Sequence, residues 1–495
     1  MNRTLALAAA ATLGLAAAAH ASLPKNIILM IPDGASWGTW DGASYYQYGT
    51  RFAQRYDQFP VKLGMTTFPM NFSTTPTNDN LQRIGYDPAK AWDSTPDVDP
   101  SGPPSSWQWS ASNPNGEHPG NDFFEGYDYI KRNYVDSAAA GTALASGIKT
   151  YNNAINYDNF GRPVPFLTQF AKAAGKSTGV VSSVPYSHAT PAVFGAQNIN
   201  RNNYHAITRQ MIDEGTLDVI MGGGHPLYDD NGQLRATPQY SWISNADYTR
   251  LTNGTANGFS FIQTKAEFEA LATAATVPSK VFGMAQVAAT LQFNRSGTAM
   301  GNFNTNVPDL RTMSLGALNV LGRNANGFFV MIEGGAIDWA NHANNTGRVI
   351  EETVDFNRAV DAVIDWVEAN SNWNDTLLIV TTDHGNGMMM GPNSDTIPFQ
   401  GVVNNGAGNL PSVRWHYGTH TNELVLFYAK GNGASLFFDL VDGVDSGFAQ
   451  IVGFNDGRYI DNTDVFRVMA QQIPEPAALG LLAPLGLALL RRRAA

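Results

Sequence analysis

KNIILMIPDG, residues 25–34, is an unbroken apolar run that stops at Pro32 and Asp33. Continuous rather than alternating hydrophobicity suits a strand buried on both faces, as in a parallel sheet covered by helices. Runs of the same kind recur at 178–184, 217–221, 327–332, 376–381 and 423–428. Helical patterns lie between them. The clearest covers 348–368, where Val349, Ile350, Val354, Val360, Val363, Ile364 and Val367 follow a 3.6-residue spacing. Glu351, Glu352, Asp355 and Arg358 fall mostly on the other side of that helix. Strands alternating with helices predict an α/β fold, a three-layer sandwich with a mainly parallel central sheet. Ligands of such sheets bind beyond the carboxyl ends of the strands, where Asp33, Glu333 and Asp383 fall.

Three segments interrupt the alternation. Residues 66–133 are rich in Pro, Ser, Asn, Asp and Trp, 229–279 are polar and turn-rich, and 388–414 are rich in Gly and Asn. Candidate ligands lie on both sides of each, so all three read as insertions around one site within a single catalytic domain, 22–472.

The chain has 495 residues, 43 % of them hydrophobic and 15 % charged, with a formal net charge of −11. That acidity argues against a nucleic-acid partner. Cysteine is absent, which removes disulfide and thiolate chemistry. At the amino end, one arginine (Arg3), an Ala/Leu-rich run and Ala19-His20-Ala21 form the pattern of a secretory signal peptide, residues 1–21. At the carboxyl end, Pro474-Glu475-Pro476 precedes an apolar stretch, 477–490, and then Arg491, Arg492 and Arg493. The stretch is shorter than the roughly 20 residues of an ordinary span. Segment 473–495 resembles the PEP-CTERM sorting segment of Gram-negative bacteria. The resemblance implies transient inner-membrane contact, removal of the tail, and export to the periplasm, outer surface or extracellular matrix. A permanent tail anchor is the alternative.

Side chains suited to hard or borderline cations are spread along the chain at strand ends and helix starts. They are Asp33, Asp136-Ser137, Glu333, Asp338, His342, Asp383-His384 and His420. Oxygen and imidazole ligands without thiolate suit ions such as Zn²⁺ and Mg²⁺. A serine beside them suggests a metal-activated alkoxide nucleophile. Singly, each signal is weak, since an Asp-Gly after a strand is often a turn and a lone histidine is usually structural. Ser137 also fits as an ordinary helix N-cap. The strength lies in the ordered set.

That set, MIPDG, DSAAAGTALASG, EGGAIDWANHANN, TTDHG and THTNE, resembles the alkaline phosphatases of the two-zinc, serine-nucleophile type. The resemblance implies Ser137 as nucleophile, with small residues after it that let phosphate approach the helix N-terminus. It implies one zinc held by Asp33, Asp383 and His384 beside Ser137, and a second held by Asp338, His342 and His420. Glu333 and Thr190 would complete a third, Mg²⁺ site with Asp33. The family carries Asp or His at the position of His188, and imidazole is a poorer neighbour for hydrated Mg²⁺, so this third site is expected to be weak or partly zinc-occupied. Arg201 matches the arginine that clamps substrate phosphate. Trp339 stands where some relatives carry a charged or imidazole side chain, as a wall beside the phosphate. His225 reads as a surface turn near the site, and His416 competes with His420 for the metal.

The function implied is an exported phosphate monoester hydrolase working through phosphoserine on small phosphate monoesters, with a homodimer possible. The alternatives are a phosphodiesterase of the same superfamily, or a non-catalytic surface or matrix protein with a decayed site.

Overall fold

A computed structural model describes residues 23–94 and 127–474. The signal and sorting segments, and the middle of the first insertion with His118, lie outside the described residues apart from a few at their edges. Eleven strands form one sheet. From edge to edge the order is Gly443–Val444, Arg458–Asp461, Val61–Thr66, Val425–Gly431, Thr376–Thr381, Asn26–Ile31, Phe328–Glu333, Ser177–Pro185, Val219–Gly223, Val281–Met284 and Ser260–Ile262. From Thr376–Thr381 to Ser260–Ile262 every neighbour pair is parallel. Val425–Gly431 is antiparallel to both of its neighbours.

The central strand Asn26–Ile31 shows why the apolar run is continuous. Ile27, Leu29 and Ile31 pack on one face with Leu144, Phe194 and Ile207. Ile28 and Met30 pack on the other with Leu318, Phe356 and Val360. All five are fully buried, each worth about 1.5–3 kcal/mol of transfer free energy. Helices Ser137–Ser146, Tyr204–Asp213 and Asn462–Gln471 cover the first face, and Leu310–Leu321 and Thr346–Asn370 the second. The result is a three-layer sandwich.

Two features go beyond the sequence reading. Glu351 and Glu352, on the side of their helix away from its apolar stripe, are buried as well. The loop around 295–302 lies over that face: Arg295 reaches Glu351 Oε2 at 2.7 Å, and Arg348 reaches Oε1 at 3.1 Å. Segment 229–279 is also more ordered than its composition suggested. It contains helices Asn245–Thr252 and Lys265–Thr273 and supplies the edge strand Ser260–Ile262. Among the described residues, no helix is long and apolar enough to cross a membrane.

Candidate metal centre

Register places the first acids. Ile31 pairs with Glu333, and Ser182 pairs with Glu333 from the other side. Asp33 lies two residues past Ile31, and Asp383 two past Thr381. Three adjacent parallel strands thus deliver Asp33, Glu333 and Asp383 to one carboxyl edge. Gly34 has φ +70°, and a Cβ there would stand 2.6 Å from Asp338 Oδ1. Only glycine lets the turn after Asp33 pass so close to the helix Ala336–His342, which carries Asp338 and His342.

His420 arrives by a short ribbon. His420–Thr421 pairs antiparallel with Gly385–Asn386, opposing His420 to Asn386. The chain leaves the site at His384, makes the 388–414 excursion and returns at His420. The His384 and His420 rings stack at 3.7 Å between centroids. His416, the competitor, is buried elsewhere, with Nε2 2.6 Å from Ser394 Oγ.

Two groups of side chains converge closely enough to share an ion: Asp33, Asp383 and His384, and Asp338, His384 and His420. His342 stands beside the second, its Nε2 3.0 Å from His420 Nε2 and 3.4 Å from Asp338 Oδ2. The other imidazole nitrogens face backbone carbonyls: His342 Nδ1 with Gly418, His420 Nδ1 with Val135 and His384 Nδ1 with Gly385. Such contacts orient the Nε2 lone pairs toward a common centre. Asp33 Oδ1, Asp383 Oδ2 and Glu333 Oε1 are buried without a hydrogen-bond partner. An unpaired buried carboxylate oxygen is costly, and divalent cations would satisfy these three. The donor set fits that group.

The electrostatics agree. Burial, then repulsion from Asp383, Asp338 and Glu333, pushes the Asp33 carboxyl well above the usual range. Burial chiefly lifts Asp383 to about 6 and Glu333 to about 7. Asp338 is the exception: burial opposes ionisation, but His342 and His420 hold it well below the usual range. Burial and the neighbouring His420 keep His384 well below its ordinary value, hence neutral.

Ser137 is fully buried, with Oγ 3.1 Å from His384 Nε2. It is not the N-cap of its helix. Asp136 is, its Oδ1 accepting from Ala139 N at 2.9 Å. That leaves the serine hydroxyl free of capping duty. Gly141 answers to packing, since a Cβ there would stand 2.9 Å from Val193 Cγ2. Asp136 Oδ2 also receives Arg201 Nη1 at 3.0 Å, which docks the guanidinium beside the serine. Thr190 Oγ1 donates to Asp33 Oδ2 at 3.1 Å. His188 Nε2 lies 3.4 Å from Arg201 Nη2, and burial with Arg201 pushes this imidazole down to about 3. His225 is buried, not a surface turn, and its Nε2 meets Gln263 Oε1 at 2.8 Å.

Sequence reasoning missed several residues. Asn386 Nδ2 donates to Asp338 Oδ1 at 2.7 Å, and Ser182 Oγ hydrogen-bonds Glu333 Oε2. Asn386 follows His384 by two residues, so a search for polar residues flanking the ligands would have found it, whereas Ser182 lies inside a predicted strand. Trp242, beside His188, lay in a segment with no such signal.

Fold and cluster together define an α/β sandwich protein with a candidate metal centre at the carboxyl edge of its sheet. The alkaline phosphatase family model matches residues 127–436, and the chain belongs to that family. It is 34 % identical over 261 residues to alkaline phosphatase 4 of Bacillus subtilis, covering 52 % of this chain and 50 % of that one. The chain spans about half the length of the curated Bacillus subtilis relatives it matches. Two solved structures share the fold. The cold-active alkaline phosphatase of a psychrophilic Shewanella aligns with a TM-score of 0.61 at 22 % identity, over 91 % of this chain and all of that one. The alkaline phosphatase of the Antarctic bacterium TAB5 aligns at 0.56 and 21 %, over 92 % and 99 %.

Proposed function

We propose that this protein hydrolyses phosphate monoesters through a phosphoserine formed at Ser137. The observation that carries the reading is the placement of Ser137 Oγ against His384, which belongs to both ligand groups, with Arg201 docked on the neighbouring Asp136. Asp33, Asp383 and His384 would hold one zinc ion; Asp338, His342 and His420 would hold a second. Glu333 and Thr190, with Asp33, would hold Mg²⁺. A variant of the TAB5 enzyme in which glutamate replaces a histidine has Mg bound in its M3 site. Bound divalent ions would lower the pKa of the serine hydroxyl and of the attacking water and neutralise charge on phosphorus.

Arg201 grips the non-bridging phosphate oxygens with its planar fork. Ser137 Oγ, having given up its proton, attacks phosphorus, and the alcohol departs with a proton. Water then attacks the phosphoserine, its hydroxyl joins phosphorus, its second proton returns to Ser137 Oγ, and inorganic phosphate leaves. Asp136 holds Arg201 in place throughout.

A monoester presents a dianionic phosphoryl group to the fork; a diester presents less charge. The decayed-site reading is disfavoured because the buried carboxylates retain unpaired oxygens that bound cations would satisfy. We further infer export, from the signal and sorting patterns at the two ends of the chain. Metal analysis combined with paired monoester and diester assays tests the reading. It requires bound zinc and a strong preference for the monoester; a diester preference would favour the superfamily alternative.

A further inference from the structure

Aromatic rings flank the candidate metal centre on the Arg201 side. Trp339 follows the ligand Asp338 and sits 5.5 Å from the His188 ring. Trp242 lies 6.3 Å from the same imidazole, and Tyr204 packs on Trp242 at 4.5 Å. Unlike the core rings Tyr186 and Phe194, which are fully buried, all three keep part of their surface in solvent. Trp242 is held firmly: its carbonyl accepts from Thr208 Oγ1 at 2.7 Å and from Ser187 Oγ at 3.3 Å. A partly exposed aromatic wall beside a phosphate clamp can receive another ring, because π-faces prefer offset or edge contacts with planar partners.

We propose that Trp242 and Trp339, backed by Tyr204, form a specificity wall for the leaving group and select monoesters whose alcohol carries a planar aromatic or heteroaromatic ring. This rests on the monoesterase reading above. A nucleoside 5′-monophosphate is an ester of this kind, and His188, whose ring both tryptophans adjoin, has its Nε2 3.4 Å from Arg201 Nη2.

Adenosine 5′-monophosphate and ribose 5-phosphate isolate the effect, because both leave as a primary alcohol on the same sugar. The native enzyme should show the higher kcat/KM on the nucleotide. Trp242→Ala should lose about tenfold on the nucleotide, mainly in KM, about 1.4 kcal/mol of contact. Ribose 5-phosphate should be unaffected, and Trp242→Phe should retain most of the preference. Adenosine alone, followed by quenching of tryptophan fluorescence, should bind the native protein and bind Trp242→Ala about tenfold more weakly. No nucleotide preference, equal losses on both esters, or no binding of adenosine to the native protein would overturn the wall. Turnover of neither ester, with adenosine still bound, would instead overturn the monoesterase reading and leave the wall standing.

Discussion

Ser137 Oγ lies 3.1 Å from His384 Nε2, and the same nitrogen lies 3.2 Å from Asp383 Oδ2 and 3.6 Å from Asp33 Oδ1. A serine beside a neutral imidazole and an acid invites comparison with a serine hydrolase relay. The crowding argues otherwise. Two carboxylates and a serine oxygen converge on one nitrogen, and two of those carboxylate oxygens have no hydrogen-bond partner. A cation satisfies all of them; a proton relay does not. Dialysis against a chelator should therefore abolish turnover, with recovery on adding Zn²⁺. Full activity in metal-free enzyme would assign His384 as a general base instead.

Arg201→Ala should raise KM for monoesters and weaken inhibition by inorganic phosphate roughly ten- to hundredfold, the loss of charged hydrogen bonds to the phosphate. A diester should suffer less. Steady-state kinetics on a matched ester pair measures both, and equal losses would show that Arg201 does not discriminate them.

His188→Glu should tighten the third site for Mg²⁺ roughly tenfold, because a carboxylate is a harder ligand than the imidazole now there. The new acid would also face Arg201 and draw it from phosphate, so KM should rise. Calorimetric titration with Mg²⁺ in the presence of zinc reads the first effect, and unchanged Mg²⁺ affinity would remove His188 from that site.

The fold carries a pH-sensitive carboxyl away from the site. The Asp355 residue keeps some exposure, but its carboxyl group is enclosed, and desolvation followed by repulsion from Asp309 lifts it to about 7. In the unfolded chain it titrates near 3.8. The folded state holds the proton more tightly, so Asp355 costs stability progressively as pH rises from about 4 to about 7. Asp355→Asn can still accept from Leu310 N, which now donates to Oδ2 at 3.2 Å. It should raise Tm by roughly 2 °C or more at pH 8 and leave it nearly unchanged at pH 4. A lower Tm for the variant at pH 8 would contradict this.

Much of the centre was legible because parallel strands end where ligands gather. Asp33 and Asp383 each follow an apolar run, and the register then aligns them. The strands Val61–Thr66 and Val281–Met284 were not legible. Each contains a glycine, and Val61–Thr66 also a lysine, so the apolar signal is diluted. The burial of Glu351 and Glu352 was hidden for a different reason. Helical periodicity assumes one wet face, but the loop bearing Arg295 lies over that face and pairs with Glu351, while Glu352 is lifted well above the usual range by burial. Trp242 reaches the site only because a turn-rich segment folds back over His188, a long-range event that no local pattern encodes.

The central claim is a covalent phosphoryl group on Ser137. Enzyme mixed with a labelled phosphate monoester and quenched in acid should carry label on the peptide containing Ser137. Ser137→Ala should carry none while keeping its fold and most of its bound metal. Label persisting on the Ser137→Ala protein, or rapid turnover by native enzyme that never becomes labelled, would contradict the account.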